Sequence, residues 1–545
     1  MTTQTGGQAI VGSLLAEDVT QAFGLISVHT VNIYDALRDV QDQLGFVGGR
    51  HESAVVYMAD GYARASGKAG VCFTSTGPGA ANSVGAMGEA FQCSSAVLNI
   101  TSNCESELVN SGRGALHEPK DQLGMFRSVT GWNAMAGSVD AIPKHIHRAF
   151  ELFSSSRPRP IELEVPTDVL ARTGEVEIGP RVERVRKLGA AEDIERCVRM
   201  LKTARRPLIW VGGGVISSDA SVELVRLAEM LGAPVTTSYG GKGAIPDDHP
   251  QALGCSIGGR VYGRNPVFDF IAAADVVLVV GASLPFRITG GTGLKFPPNL
   301  IHVDIDPMVF GKNYPAAVSI SGDAKAVLGQ IIEALKGGHF SGSEAYASEV
   351  KDLKTRITHS LWDSGANQQR VMETIRSSLN RDAIIVADPT MAAYWATRGM
   401  PCYEPRSYIA PHGWTSIGFA FPAALGAKRA QPERQVIVIS GDGGFQLNMQ
   451  ELGTAAQYGI NVVVLLFNDG AWGVLRDRQR DYFAGRYFAT NLKNPDFVKL
   501  AESYGLAATR VYGREELSRA LPKALSANQF HLIDIQTPSG FAEFT

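Results

Sequence analysis

Short, continuous apolar runs, each closed by a polar or glycine turn, recur along the whole chain. In the first third, 23–28, 71–76, 96–101 and 160–165 predict strands, and 7–23, 31–40 and 54–66 predict helices. In the middle, 207–213, 235–238, 276–281 and 300–304 predict strands, with a helix over 224–231. In the last third, 383–387, 436–440, 462–467 and 532–535 predict strands. Helices are expected over 446–458 and 496–505, and another starts at 471. Runs that are apolar throughout, rather than alternating, mark strands covered on both faces. Strand–helix alternation of this kind predicts an α/β fold, with three domains that each hold a central, mostly parallel sheet flanked by helices. Segments 167–188 and 337–343 (GGHFSGS) read as linkers, giving domains 1–170, 188–335 and 350–545.

Composition narrows the class. With 545 residues, three domains of ordinary size are the default. A hydrophobic content of 45%, a charged content of 19% and a net charge of −3 fit a large globular protein, and give no footprint for nucleic acid or an anionic membrane surface. Six scattered cysteines without a CxxC pair argue for a reducing cytoplasm, not a disulfide framework or a zinc site. The start MTTQTGGQAI has neither a charged nor an apolar leader region, so no signal peptide is expected. No apolar run is long enough to span a bilayer.

The chemistry concentrates in 436–473. A strand runs into Gly441-Asp442-Gly443-Gly444, a helix follows, and the next strand ends on Asn468-Asp469-Gly470. In open parallel sheets, ligands bind at the carboxyl ends of strands. Glycine turns and a helix N-terminus suit a phosphate. Asp442, Asn468 and Asp469 supply oxygen donors for a hard cation such as Mg²⁺ bridging protein to diphosphate.

The Gly-Asp-Gly at 441–443 and the Asn 26 residues on (468 − 442) resemble the thiamine-diphosphate motif of the acetolactate synthase, pyruvate oxidase and benzaldehyde lyase superfamily. The resemblance implies a thiamine-diphosphate enzyme in which Asp442, Asp469 and the Ala471 carbonyl ligate Mg²⁺. Many relatives carry Asn-Asn at the pair, so Asp469 adds a formal negative charge here. Gly441, Gly443, Gly444, Asn468, Trp472 and Gly473 fall on the cofactor side, with Trp472 lining the substrate pocket. Thr390-Met391 stand where relatives have Gly-Gln, approaching the diphosphate. The segment 412–419 (HGWTSIGF) is similar to the family's Gly-Thr-Met-Gly-Phe stretch. That match makes Ile417 the apolar wedge that bends the cofactor, and the Thr415 carbonyl the acceptor for its 4′-amino group. Read from composition alone, Ile417 is a core residue.

The first third adds His51-Glu52, 59–64 (ADGYAR) and 76–80 (TGPGA), which look like the pyrimidine-binding domain of the same superfamily. By that resemblance Glu52 is the catalytic glutamate on N1′ of the aminopyrimidine, and Gly77, Pro78 and Asn82 lie against the cofactor. On its own, Glu52 is also a favourable acid at a helix N-terminus. His29 departs from the Gly-Gly turn of acetolactate synthases, and some carboligases carry a histidine in this loop. His117 stands where those synthases have Gln. Together the two histidines suit proton transfer to and from an alkoxide.

In the middle third one strand runs into Gly212-Gly213-Gly214, and 241–246 (GKGAIP), 280–283 (VGAS) and 304–307 (DIDP) resemble the central domain of acetolactate synthase. In relatives this domain binds FAD or an ADP-like molecule, or is empty. The glycines permit a dinucleotide and serve equally as plain turns. Of the family's Arg-Phe-Asp-Asp-Arg, only Arg287 survives in 283–287 (SLPFR). Glu52 and Asp442 lie 390 residues apart (442 − 52). In this superfamily one subunit's glutamate reaches the cofactor of another, which implies a homodimer at least, with a homotetramer expected. The basic cluster 476–480 reads as solvated surface. The chain ends soon after 532–535, without the long tail that closes the site in many acetolactate synthases, so an open or differently covered pocket is expected.

The function these features imply is carbon–carbon bond making or breaking on small carbonyl substrates, 2-oxo acids or 2-hydroxy ketones. Acetolactate-synthase-like carboligation comes first. A benzaldehyde-lyase-like carboligase or a 2-oxo acid decarboxylase is the alternative. Intact Glu52, Asp442 and Asp469 count against a non-catalytic nucleotide-binding protein.

Overall fold

The computed structural model describes residues 1–256, 265–286, 289, 293–338, 344–538 and 540–544. Three six-stranded sheets carry the chain, and every strand pair within them is parallel. In space, the first sheet runs Gly45–Gly48, Gln21–Gly24, Gly70–Thr74, Val97–Asn103, Ile161–Pro166, Trp132–Met135. Numbered in chain order, that is 2-1-3-4-6-5. The last sheet repeats the order with Tyr408–Ile409, Ile384–Ala387, Val436–Gly441, Val463–Asn468, His531–Gln536 and Ala507–Val511. The middle sheet runs 3-2-1-4-5-6: Ala252–Cys255, Val235–Thr237, Pro207–Val211, Val276–Val280, Leu300–Asp304, Val318–Ser321.

These orders fix where ligands can sit, because a crevice opens where successive crossovers leave in opposite directions. In the first sheet the crevice lies past Gly24 and Thr74, and in the last past Ala387 and Gly441. In the middle sheet it lies past Val211 and Val280.

The cores follow from the continuous runs. Val276–Val280 and Leu300–Asp304 are buried along their whole length, covered by helices on both faces. The first and last sheets share one core through the helices Glu52–Ser66 and Ala420–Ala430. These two helices approach so closely that a Cβ on Gly61 would stand 1.9 Å from the Ala423 carbonyl oxygen, and one on Gly426 1.8 Å from that of Met58. Glycine is required at this crossing.

Several expectations need correction. The expected linker 167–188 begins with a helix, Thr167–Ala171, and a strand, Thr173–Val176. That strand pairs antiparallel with Thr2–Thr5, so the first folding unit runs past residue 170. The helix expected over 7–23 stops at Ala16, and Gln21–Gly24 is already strand. The helix expected over 446–458 is broken: Asp442–Phe445 makes one turn, and a 3₁₀ turn at Met449–Glu451 precedes Leu452–Tyr458. Of the Gly/Ser linker, 339–343 lie outside the described residues.

Candidate active site

Strand Ile384–Ala387 delivers Asp388 to the crevice of the last sheet, and Val436–Gly441 delivers Asp442. Asp388 is a scaffold. Its Oδ1 accepts from the Ala420 N–H at 2.8 Å and its Oδ2 from the Ser440 hydroxyl at 2.6 Å. Burial pushes its carboxyl up to about 6.

Beside it lies a cavity of ≈ 520 Å³. Its walls hold all the cofactor residues expected from the last third except Asn468: Thr390, Met391, Thr415, Ile417, Gly441 to Gly444, Asp469, Ala471, Trp472 and Gly473. The cradle depends on its glycines. A Cβ at Gly473 would meet Asp469 Oδ2 at 2.3 Å, and one at Gly443 would meet the Trp472 ring at 2.6 Å. Ile417 is 43% exposed, which excludes a core role in this chain.

Asp442 and Asp469 face the same space. Burial raises the Asp442 carboxyl. Burial, then the Asp442 charge, pushes Asp469 up to about 6. A buried carboxylate that opposes the ionisation of a half-buried one beside it is what a divalent cation relieves. The donor set therefore fits Mg²⁺. Among the described residues, no group of three or more His, Cys, Asp or Glu converges as a metal site. Backbone and ligand oxygens would have to complete the shell.

Asn494 is the residue that sequence reasoning missed. Its Nδ2 donates to Asp442 Oδ2 at 2.5 Å and to Asn468 Oδ1 at 2.9 Å. Asn468 faces away from the cavity, its own Nδ2 donating to Asp534 at 3.0 Å. Arg476, read as surface, instead donates to Asp469 Oδ2 at 3.3 Å.

The first sheet holds the second set of residues. Glu52 opens the helix Glu52–Ser66, which is capped by His51 accepting from the Ser53 N–H at 3.2 Å. Asn82 Nδ2 donates to Glu52 Oε2 at 3.0 Å, and a Cβ on Gly79 would lie 3.1 Å from Oε1. Gly77 has φ +57, a conformation suited to glycine, and its N–H donates to Gln122 Oε1 at 2.8 Å. A Cβ there would stand 2.2 Å from the His117 carbonyl oxygen. His29 is buried beside the exposed His117, ring centroids 4.9 Å apart, and among the described residues its Nδ1 has no hydrogen-bond partner. Burial first, and then His117, lower the His29 pKa. Glu52, His29, His117, Gly77, Pro78 and Asn82 do not line the ≈ 520 Å³ cavity of their own chain.

In the middle sheet, Gly212, Gly214 and Gly281 pack backbone on backbone; a Cβ on Gly214 would be 2.6 Å from the Gly281 Cα. They line a cavity of ≈ 740 Å³ that reaches Asp304 on one side and Asp388, Tyr394 and Thr415 on the other. Arg287 lies outside the described residues.

The three switch-point crevices, two of them of identical topology and one carrying the Asp442–Asp469 acid pair, define a cofactor-dependent α/β enzyme. Family models agree. Residues 4–125 match the N-terminal TPP binding domain of thiamine pyrophosphate enzymes, 194–331 the central domain, and 388–535 the C-terminal TPP binding domain. The chain is 36% identical to a probable acetolactate synthase large subunit of Methanocaldococcus jannaschii, over 97% of this chain and 91% of the relative. It is 36% identical to a probable 2-ketoarginine decarboxylase of Pseudomonas aeruginosa, over 98% and 94%. It is 34% identical to an acetolactate synthase large subunit of Mycobacterium tuberculosis, over 96% and 86%. The chain belongs to the thiamine-pyrophosphate-dependent enzymes and is acetolactate-synthase-like. Among the described residues, no helix is long and apolar enough to cross a membrane.

Proposed function

We propose that this enzyme makes or breaks a carbon–carbon bond next to a carbonyl of a 2-oxo acid or 2-hydroxy ketone, with acetolactate-synthase-like carboligation of pyruvate as the leading activity. The observation that carries the reading is the Asp442–Asp469 pair, Asp442 raised by burial and Asp469 by burial and the Asp442 charge, in one cavity with Thr390, Thr415 and Ile417. Thiamine diphosphate supplies an acidic ring carbon and an electron sink when bound. Asp442, Asp469 and the Ala471 carbonyl would hold Mg²⁺. Thr390, Met391 and the 441–444 backbone would hold the diphosphate, Trp472 and Gly473 would wall the cavity, and Asn468 would act from behind through Asn494. The Thr415 carbonyl and the exposed Ile417 side chain would orient the ring system.

Glu52 does not line its own chain's cavity, so a second copy of the chain is needed to bring it, with Gly77, Pro78 and Asn82, to the cofactor. A homodimer is the minimal unit in this reading and a homotetramer the expected assembly, in the cytoplasm. Glu52 then manages a proton on the aminopyrimidine, while neutral His29 and solvent-facing His117 exchange protons with the substrate oxygen. The ≈ 740 Å³ cavity would take FAD or an ADP-like molecule.

A second reading, simple 2-oxo acid decarboxylation, is supported by the decarboxylase relative at the same 36% identity. The His29–His117 pair favours it too, as a proton source beside the substrate; it also suits a benzaldehyde-lyase-like carboligase. The deciding experiment supplies purified enzyme, thiamine diphosphate and Mg²⁺ with pyruvate, alone and with an acceptor aldehyde, and adds an absorbance scan for flavin. Acetolactate formation supports carboligation. Acetaldehyde and CO₂ without acetolactate support decarboxylation. No turnover of pyruvate, other 2-oxo acids or a benzoin-type ketone overturns both.

A further inference from the structure

The segment 412–416 is held by a residue that none of the chemistry above uses. Glu89 is fully buried near the end of the helix Pro78–Cys93, and its carboxylate crosses from the first domain to the last. Oε1 accepts from the His412 N–H at 3.1 Å, and Oε2 from the Ser416 N–H at 2.8 Å. One side chain thus ties two amides four residues apart. Between them stand Gly413 at φ +102 and Thr415 at φ +65, with Gly418 at φ +80 just beyond. A threonine holds a left-handed conformation only when its surroundings over-determine it.

The same helix supplies the bed on which the segment lies. A Cβ on Gly88 would meet the Trp414 ring at 2.7 Å, and one on Gly413 would meet the Gln92 side chain at 3.2 Å. The neighbouring helix adds a bond and a contact: Arg64 donates to the Ala410 carbonyl at 2.8 Å, and the Tyr57 hydroxyl lies beside Ser416. The helix Pro78–Cys93 also carries Asn82, which holds Glu52.

We propose that Glu89 is a positioning residue for the reaction. Its two-armed bond to His412 and Ser416 fixes the backbone that presents the Thr415 carbonyl and the Ile417 side chain to the cofactor. The inference rests on the reading that those two groups hold thiamine diphosphate. A carboxylate is required because both partners are donors. In Glu89→Gln one arm becomes an amide N–H₂ that faces a backbone N–H, and a buried donor is left without an acceptor.

The test is Glu89→Gln, checked for native melting, with hydrogen exchange followed peptide by peptide in the cofactor-free protein. Exchange across 411–418 should rise about tenfold while the central strands stay protected, the Kd for thiamine diphosphate with Mg²⁺ should rise about tenfold, and kcat should fall with substrate KM little changed. Should Glu89→Gln not fold, Tyr57→Phe, which removes only the hydroxyl beside Ser416, should give the same pattern at smaller amplitude. Exchange at wild-type rates overturns the clamp and leaves the cofactor reading standing. Faster exchange with an unchanged Kd and kcat overturns the assignment of Thr415 and Ile417 to the cofactor, and the inference with it.

Discussion

The imidazole of His29 is buried against that of His117, centroids 4.9 Å apart and planes tilted by 33°. Burial first, then the charge His117 would carry, lowers the His29 pKa; the Leu116 backbone and the Glu105 carboxylate pull it partly back. His29 is therefore neutral at physiological pH. The unfolded chain takes up this proton near the ordinary histidine value of about 6.5. The stability that neutral His29 contributes is thus present above that value and drains away as pH falls through its lower folded pKa. If His29 is the essential base, the acid limb of kcat/KM lies below the ordinary histidine range. His117→Gln removes the neighbouring charge and should move that limb upward. His29→Ala should cut kcat by about 10²–10⁴-fold with cofactor affinity nearly unchanged. A pH–rate profile of the three proteins decides, and unaltered turnover in His29→Ala would end the assignment.

Asn494 grips Asp442 Oδ2 at 2.5 Å and so would aim one of the two acids at the proposed metal position. Residues behind a metal ligand set its orientation, and their loss costs about 10–100-fold in affinity. Asn494→Ala should weaken Mg²⁺ by that range, and Asp442→Ala should weaken it further. Titrating Mg²⁺ into the apoenzyme with thiamine diphosphate present, by calorimetry, reads both. Chelation should abolish turnover, and added Mg²⁺ should restore it. A wild-type Mg²⁺ affinity in Asp442→Ala would place the metal elsewhere.

What could be read from the sequence divides by position in the sheets. Every interior strand of the three sheets is marked by its apolar run except Gln21–Gly24, three of whose four residues fall in the expected helix 7–23, and the six edge strands are not marked. The edges Gly45–Gly48, Trp132–Met135, Ala252–Cys255, Val318–Ser321, Tyr408–Ile409 and Ala507–Val511 are short, and all but Tyr408–Ile409 are partly exposed somewhere along their length. With one neighbour instead of two, they need no continuous hydrophobic run. The site divides the same way. Asp442, Asp469 and Glu52 stand at strand ends and a helix start, where local pattern marks them. Asn494 meets Asp442 across 52 residues, and Glu89 meets Ser416 across 327. Contacts made only by the closed fold leave no local trace. Arg476 was misread because a charge cluster does not announce that one of its members turns inward to Asp469.

The crossing of Glu52–Ser66 with Ala420–Ala430 should tolerate no side chain at its centre. Gly61→Ala puts a methyl 1.9 Å from the Ala423 carbonyl, so the helices must part. Overpacking of this kind costs about 1–3 kcal/mol. Gly329, inside the helix Ala324–Leu335, has nothing among the described residues within 4 Å of an added Cβ, and Gly329→Ala should stabilise by about 0.5–1 kcal/mol. Denaturant midpoints of the two variants should move in opposite directions. A neutral Gly61→Ala would mean that the two domains are packed more loosely than the shared core implies.

In the proposed reaction Glu52 manages the proton, and its geometry separates proton handling from mere presence. Asn82 holds Oε2 at 3.0 Å, and Gly79 leaves room for Oε1. Glu52→Gln keeps the volume and the Asn82 contact while removing the carboxylate. Loss of a general acid–base group costs about 10²–10⁴-fold, so kcat should fall by that factor with thiamine diphosphate binding still measurable. Asn82→Ala frees the carboxylate without deleting it and should cost less, since a misaligned group still transfers protons slowly. If Asn82 acts only by orienting Glu52, the double variant should be no slower than Glu52→Gln alone; if their effects multiply, the two residues act independently. Single-turnover rates of the four proteins measure the coupling, and wild-type turnover in Glu52→Gln would remove this residue from the reaction altogether.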